Sequence, residues 1–319
     1  MRAVVCTEPG SLTLTETPDP TAGPGQVVIA VEAAGVNFVD GLFVRGEYQI
    51  KPPPPFVPGG EVAGTVLATG PDVDDPPPGT RVLAMCGLGG FAERVAVPAA
   101  AAVPIPARLD AARAATFVQS HCTALFALRD RAGLTAGETV LVLGAGGGVG
   151  LAAIQVARAL GARVLAAAST PEKRAAALDA GAEEAVDPAE DVKTAARGWS
   201  DGGVDVVYDP VGGALAGPAL RALRERGRYA VIGFASGTIP SLPLNQVLLR
   251  NRSVVGVDWG AWAMSRPLEQ RALLGELLRL VEDGALDPVA PAVRPLAGAE
   301  KVLADLRERR VVGKIALVP

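Results

Sequence analysis

Between Thr139 and Ser169 the chain reads TVLVLGAGGGVGLAAIQVARALGARVLAAAS, and no other stretch limits the possible folds as strongly. An apolar run, Val140 to Leu143, feeds a glycine cluster that opens an amphipathic segment from Val149 to Leu160. Gly161 closes that segment, and a second apolar run, Val164 to Ala168, follows. Strand, tight turn, helix, strand is a βαβ unit, and its first turn carries the glycine spacing of a dinucleotide site. Ala145-Gly146-Gly147-Gly148-Val149-Gly150 reads A-x-G-x-x-G, with Ala145 in the usual first-glycine slot. Gly147 lets the backbone approach a pyrophosphate, and Gly150 lets the new helix pack on the strand. The N–H groups of Gly148 and Val149 then stand at the positive end of the helix dipole, facing the phosphates.

The end of the second strand bears on which dinucleotide binds. NAD-specific sites place Asp or Glu there to accept from the ribose 2′-OH. Here the slot falls near Ala168, in Ala167-Ala168-Ser169-Thr170, and no carboxylate is present. Ser169 can donate to a 2′-phosphate, and Lys173 and Arg174 supply positive charge one turn further on. The expected cofactor is therefore NADPH. The same residues also suit a helix start, because Ser169 or Thr170 precedes Pro171-Glu172.

The 319 residues allow two domains, and 49% hydrophobic with 20% charged residues is an ordinary soluble composition. A formal net charge of −4 gives no basic footprint for nucleic acid or an anionic membrane. The opening Met1-Arg2-Ala3-Val4-Val5-Cys6 lacks a signal-peptide pattern, and no apolar run reaches transmembrane length. Cys6, Cys86 and Cys122 are scattered and odd in number, which fits reduced thiols in a cytoplasmic enzyme.

To about residue 118 the chain is punctuated by Gly and Pro and carries short β-rich runs: Arg2 to Cys6, Gln26 to Ala34, Gly60 to Ala68, Arg81 to Met85 and Phe91 to Val97. Many short strands with turns between them predict a partly closed, barrel-like β domain. Pro52 to Pro55 and Pro76 to Pro78 are read as loop. From Ala111 the patterning becomes helical, and strands are then expected near 139–144, 162–168, 184–187, 204–209, 228–234 and 253–258. Six such strands suit a doubly wound parallel sheet. Two amphipathic helices, Leu268 to Asp283 and Gly298 to Arg309, precede a last strand, Gly313 to Val318.

Phrases along nearly the whole chain resemble the zinc-free branch of the medium-chain dehydrogenase/reductases, the quinone oxidoreductase (zeta-crystallin-like) family. They include Gly35-Val36-Asn37-Phe38-Val39-Asp40, Arg45-Gly46-Glu47-Tyr48, Pro58-Gly59-Gly60-Glu61-Val62-Ala63-Gly64, Thr123-Ala124-Leu125 and the glycine turn. They continue through Asp205-Val206-Val207-Tyr208-Asp209-Pro210-Val211-Gly212-Gly213, Gly233-Phe234-Ala235-Ser236-Gly237 and the closing Gly313-Lys314. The resemblance implies an α/β protein: a GroES-like β-rich catalytic domain (1–118 and 260–319) and an NADP-binding Rossmann domain (119–259) with a six-stranded parallel sheet. It also implies a cofactor lying in the cleft between them and a homodimer through the edge strand, here Ser253 to Asp258.

Zinc members of the superfamily carry Cys where Asn37 stands and His where Gly60 stands. Glu61 survives, but a catalytic zinc usually takes three protein ligands from thiolate, imidazole or carboxylate. The chain owns one histidine and no C-x-x-C cluster. No metal is expected. Without a Lewis acid, the chemistry that remains is hydride delivery to an electron-poor π-system, a quinone or an α,β-unsaturated carbonyl.

The resemblance places Asn37 at the nicotinamide end, with an Asx-turn or helix cap as the alternative role for this segment, Asp40 above all. Tyr48, at the loop where related enoyl-thioester reductases hold a tyrosine, is a candidate proton donor; the alternative is a loop anchor. Thr123 resembles the family's contact to the nicotinamide ribose. Pro210, Gly233, Phe234 and Ala235 end strands where a Rossmann crevice binds its ligand, and Lys314 joins the cofactor set. His121, the lone histidine, reads as a packing or hydrogen-bonding residue rather than a base. The leading expectation is thus an NADPH-dependent reductase of quinones or activated enones. Its rivals are an enoyl-thioester or 2-haloacrylate-type reductase and, from another class, an NADPH-binding structural or RNA-binding protein. The acidic balance argues against RNA.

Overall fold

The computed structural model describes residues 1–319, which fall into two units: Met1–Gln119 with Ala290–Pro319, and Ser120–Val289. The first unit begins with β1 (Arg2–Glu8), β2 (Ser11–Glu16), β3 (Gln26–Val36), α1 (Phe38–Arg45), β4 (Glu61–Thr69), β5 (Arg81–Met85), β6 (Arg94–Pro98), β7 (Ala102–Pro104) and α2 (Ala111–Ala115). Helix α3 (Val118–Leu125) leads into the second unit. There follow β8 (Thr139–Leu143), α4 (Gly148–Ala159), β9 (Arg163–Ala167), α5 (Pro171–Asp179), β10 (Glu184–Val186), α6 (Val192–Trp199), β11 (Val204–Asp209), α7 (Ala216–Ala222), β12 (Leu223–Val231), α8 (Leu244–Leu248), β13 (Ser253–Gly256), α9 (Trp259–Ser265) and α10 (Pro267–Glu282). Strands β14 (Ala292–Pro295) and β15 (Ile315–Val318), with α11 (Ala299–Arg307) between them, complete the first unit.

In the second unit six parallel strands run in the order β10-β9-β8-β11-β12-β13. Numbered within the unit, that is 3-2-1-4-5-6, the Rossmann order, with its switch point between β8 and β11. Every residue of β8 and of β11 is buried, as expected for parallel strands covered on both faces. One face of the sheet packs Leu141, Leu143, Leu165, Val207 and Tyr229 against Ala219, Leu220 and Ala196 of the flanking helices.

The first unit is largely antiparallel, in the order β14-β15-β3-β4-β5-β7, with β6 also on β3 and β1–β2 as a separate hairpin. Its core gathers Val27, Ile29, Val31, Val62, Val82, Phe91 and Leu317. Strand β3 organises the rest. It pairs with β4 on one side, bringing Gly35 opposite Glu61, and with β15 on the other, bringing Val36 opposite Ile315.

The structure adjusts several expected boundaries. The sequence placed the return to the first unit at 260, but α9 and α10 belong to the second unit and the return comes at Ala290. The amphipathic pattern of α10 marks it as a helix without saying which sheet it covers. Strand β12 starts at Leu223, earlier than expected: Leu223 pairs with Val204, and the register then shifts before Arg228 pairs with Val206, an irregularity that the apolar pattern does not mark. Helix α1 was legible only as a cap at Asn37. No helix is long and apolar enough to cross a membrane.

Candidate functional site

In the second unit, the strand ends carry the residues expected to meet a dinucleotide. The chain leaves β8 through Gly144, whose φ of 58° is a left-handed conformation that favours glycine. The tight turn is therefore made by Gly144 and not at the Ala145 slot; Ala145 is fully buried and donates its N–H to Ala167 O at 3.1 Å. At Gly150 a Cβ would lie 2.4 Å from Gly144 O and 2.7 Å from Ala145 Cα, so close helix–strand packing fixes that glycine. Gly147 differs. Its φ is −90°, and the nearest atom to a Cβ there is Gly144 O at 3.4 Å. The fold itself would accept a Cβ at Gly147.

No side chain caps α4, whereas Thr170, Asp191 and Asp258 cap α5, α6 and α9. A helix start with donors uncapped and a bare backbone beside it suits a pyrophosphate. Gly146 serves a separate purpose: a Cβ on it would come 2.4 Å from Lys173 Cβ. This glycine lets Lys173 sit against the turn, and Ser169 is exposed just before α5. Arg174 is engaged elsewhere. Its Nη1 donates to Ala168 O at 3.0 Å and to Asp187 Oδ2 at 2.9 Å. Backbone N–H donation from Ala189, with Arg174 beside it, holds the Asp187 carboxyl below its ordinary range. Of the two cations named from sequence, Lys173 lies by the glycine turn and Arg174 ties α5 to the segment after β10.

The loops after β11 and β12 are joined. Ala235 N–H donates to Pro210 O at 3.0 Å, and Ser236 N–H donates to Val211 O at 2.9 Å. Phe234 is partly exposed, and its ring covers Gly212, where a Cβ would come 2.9 Å from Phe234 Cδ1. Thr123 lies half-buried on α3. His121 is buried, with Nε2 3.2 Å from Gln155 Oε1. It ties α3 to α4, in line with the packing role.

In the first unit, three strands deliver a polar cluster. Asn37 follows β3, Glu61 opens β4 and Lys314 precedes β15, so the β3 registers bring residues 277 positions apart together. Asn37 Nδ2 donates to Glu61 Oε1 at 2.9 Å, and Lys314 Nζ donates to Asn37 Oδ1. Lys314 Nζ also donates to Glu61 Oε1 at 3.0 Å, and Gln119 N–H donates to Glu61 Oε2 at 3.0 Å. Glu61 is fully buried and Lys314 is 12% exposed. These partners fix the orientation of the Asn37 amide. The sequence read Lys314 as a cofactor contact and missed its pairing with Glu61, since strand register is not visible in a linear motif.

Asp40 is fully buried, and its Oδ2 accepts from Asn37 N–H at 2.7 Å, the helix-cap role. Its Oδ1 has no partner and faces the space beside Gly60, whose Cβ would stand 3.9 Å away. Burial raises the Asp40 carboxyl to a pKa of about 7, and burial likewise pushes the Cys86 thiol up. The residues do not make a zinc site. Where a ligand set would converge, an amide and an ammonium stand with one carboxylate, and no group of three His, Cys, Asp or Glu side chains gathers anywhere in the chain. Tyr48 lies beyond α1 with its ring edge-on to Phe43, centroids 5.0 Å apart.

Residues 148–274 match a family model described as zinc-binding dehydrogenase, and residues 23–107 match the alcohol dehydrogenase GroES-like domain. Quinone oxidoreductase-like protein 2 of Bos taurus is 37% identical over 99% of this chain and 92% of its own length. The quinone oxidoreductase of Thermus thermophilus, solved alone and with NADPH, superposes with a TM-score of 0.87 at 41% identity over the full length of both chains. A mycobacterial protein solved with NADPH gives a TM-score of 0.91 at 33% identity, again over both full chains.

Proposed function

The chain belongs to the quinone oxidoreductase family of the medium-chain dehydrogenase/reductases, and from that membership we propose that it is an NADPH-dependent, zinc-independent reductase of quinones or activated α,β-unsaturated carbonyls. The observation that carries the cofactor reading is Gly147: bare, unstrained and with room for a Cβ, beside an uncapped helix start. Such a glycine is explained by a ligand better than by the fold. NADPH supplies the hydride when bound. In this reading Gly147, Gly148 and Val149 offer backbone N–H groups to the pyrophosphate. Lys173 and Ser169 take the 2′-phosphate, with Arg174 holding the strand end that positions them. Pro210, Gly233, Phe234 and Ala235 line the crevice at the strand ends, and Thr123 meets the nicotinamide ribose. Asn37 and Tyr48 are assigned to the reacting end.

The missing zinc ligands support chemistry on an already polarised π-system. The test is NADPH consumption across a panel of quinones, enones and enoyl-CoA thioesters, before and after exhaustive chelation. Turnover of enoyl thioesters alone would favour the rival substrate class. Tight NADPH binding with no turnover on any of them would favour a binding protein, and loss of activity on chelation would overturn zinc independence.

A homodimer through β13 is part of the same reading. Ile239, Leu244, Leu248 and Leu249 are each more than two-thirds exposed, and Val254 on the edge strand is 43% exposed. An uncovered apolar surface flanking an unpaired strand edge suits pairing with a second copy. A monomer in sedimentation velocity at micromolar concentration would count against it.

A further inference from the structure

The Lys314 ammonium sits where the side chains of Asn37 and Glu61 converge. It donates to Asn37 Oδ1 and to Glu61 Oε1. An ammonium has three N–H donors, and two are used by these contacts. With 12% of its side chain exposed, Lys314 is not sealed into the core as Glu61 is. Glu61, with no exposure, holds the charge in place through a 3.0 Å contact, so Lys314 cannot swing away without stranding a buried carboxylate. A fixed positive charge with one uncommitted donor, in a partly dehydrated position, is what a developing oxyanion requires.

We propose that Lys314 is the built-in electrophile of this chain, donating its third N–H to the carbonyl oxygen of the substrate in place of a Lewis-acid metal. The proposal rests on the reductase reading above. As the carbon conjugated to the carbonyl takes hydride from reduced nicotinamide, a C–H bond forms and the π electrons move onto the carbonyl oxygen. That oxygen becomes an enolate or hydroquinone anion, stabilised by Lys314. A proton delivered afterwards to the α-carbon, or to the oxygen of a quinone, completes the reduction. Glu61, fully buried, acts as a positioning residue that holds the lysine.

Two variants test this. Lys314→Gln keeps a donor toward Glu61 without the charge, and Lys314→Met combined with Glu61→Gln removes both charges so that no buried ion is left alone. Both should bind NADPH within about threefold of wild type by fluorescence titration, while kcat on a simple enone falls about 10²-fold or more and its KM changes little. A second readout needs no turnover. p-Nitrophenolate, whose charge is delocalised like that of an enolate, should bind wild type at least about tenfold more tightly than Lys314→Gln, the scale of one lost charge-assisted bond. A folded, NADPH-binding variant with more than about a tenth of wild-type kcat, or equal or absent nitrophenolate binding in wild type and variant, overturns the proposal. Failure of the reductase reading is distinguishable, because it appears in the wild-type protein as no turnover on any enone or quinone.

Discussion

Tyr229 on β12 donates its phenolic hydrogen to Oδ2 of Asp209, the last residue of β11, while Oδ1 of the same carboxylate accepts from Val211 N–H at 2.7 Å and Gly212 N–H at 2.9 Å. Both side chains are buried. One carboxylate thus shapes the Pro210–Gly213 turn and ties it to the neighbouring strand. Burial and the Asp209 charge push the Tyr229 phenol well above its ordinary range, so it remains a donor at any working pH.

Tyr229→Phe should leave Asp209 Oδ2 buried without its donor, at a cost of about 1–3 kcal/mol. Urea unfolding should show the loss, together with a raised KM for NADPH, because the turn after β11 would lose its anchor. Unchanged stability and KM would mean that water or a shifted backbone N–H replaces the phenol.

That pair was not legible in the sequence. Asp209 stands in a family phrase and Tyr229 falls in the strand expected near 228–234, and only the parallel register that sets β12 beside β11 brings them together. The Rossmann half was legible because buried parallel strands leave continuous apolar runs, as in Val140 to Leu143, and glycines mark the turn. The candidate site was legible as separate pieces. Asn37, Glu61 and Lys314 were each noticed, but their meeting depends on two antiparallel registers across β3. Gly144 was passed over for the Ala145 slot because spacing alone does not reveal which residue has positive φ.

Two glycines of the turn should behave in opposite ways. Gly150→Ala should destabilise the second unit, since its Cβ would meet Gly144 O at 2.4 Å. Gly147→Val should fold and melt close to wild type yet lose NADPH binding, because its branched side chain would fill the space assigned to the pyrophosphate. Thermal melts and fluorescence titration on both variants check this. NADPH affinity within a few-fold of wild type in Gly147→Val would remove the phosphate site from this turn.

Lys173 and Arg174 should also separate. Lys173→Ala should weaken NADPH selectively over NADH by about 1–3 kcal/mol, the scale of a charge-assisted bond to phosphate. Arg174→Ala breaks bonds to Ala168 O and Asp187. Its effect should fall on thermal stability and on both cofactors alike. Calorimetry that shows the reverse pattern would reassign the 2′-phosphate to Arg174.

Asp40 gives a pH dependence with a definite sign. Its folded pKa of about 7 lies above the ordinary carboxylate value because burial outweighs the Asn37 N–H and the Lys314 charge, while Glu61 adds to the rise. The folded state therefore binds this proton more tightly than the unfolded chain. The contribution is fully present below the unfolded pKa and is lost as pH rises through 7, with a slope of at most about 1.4 kcal/mol per pH unit. Asp40→Asn keeps an acceptor for Asn37 N–H and carries no charge to bury. It should melt higher than wild type at about pH 8 and gain little at about pH 4. Parallel melting curves for the two proteins across this range would show no net Asp40 proton uptake on folding.

The reacting end sets the last expectation. Tyr48 packs edge-on against Phe43 after α1, and its hydroxyl is the proposed acid of the first unit. An enone or enoyl thioester becomes an enolate after hydride arrives, and its α-carbon then needs a proton. A quinone becomes a stabilised hydroquinone anion that takes a proton from solvent with little assistance. Tyr48→Phe keeps the packing on Phe43 and removes only the donor. Turnover on enones should fall by about 10²-fold, the usual scale of positioned acid catalysis, while quinone reduction changes much less. Equal losses on both substrates would make Tyr48 a residue that shapes the loop. No loss on either would leave it as Phe43's packing partner, with the proton coming from water.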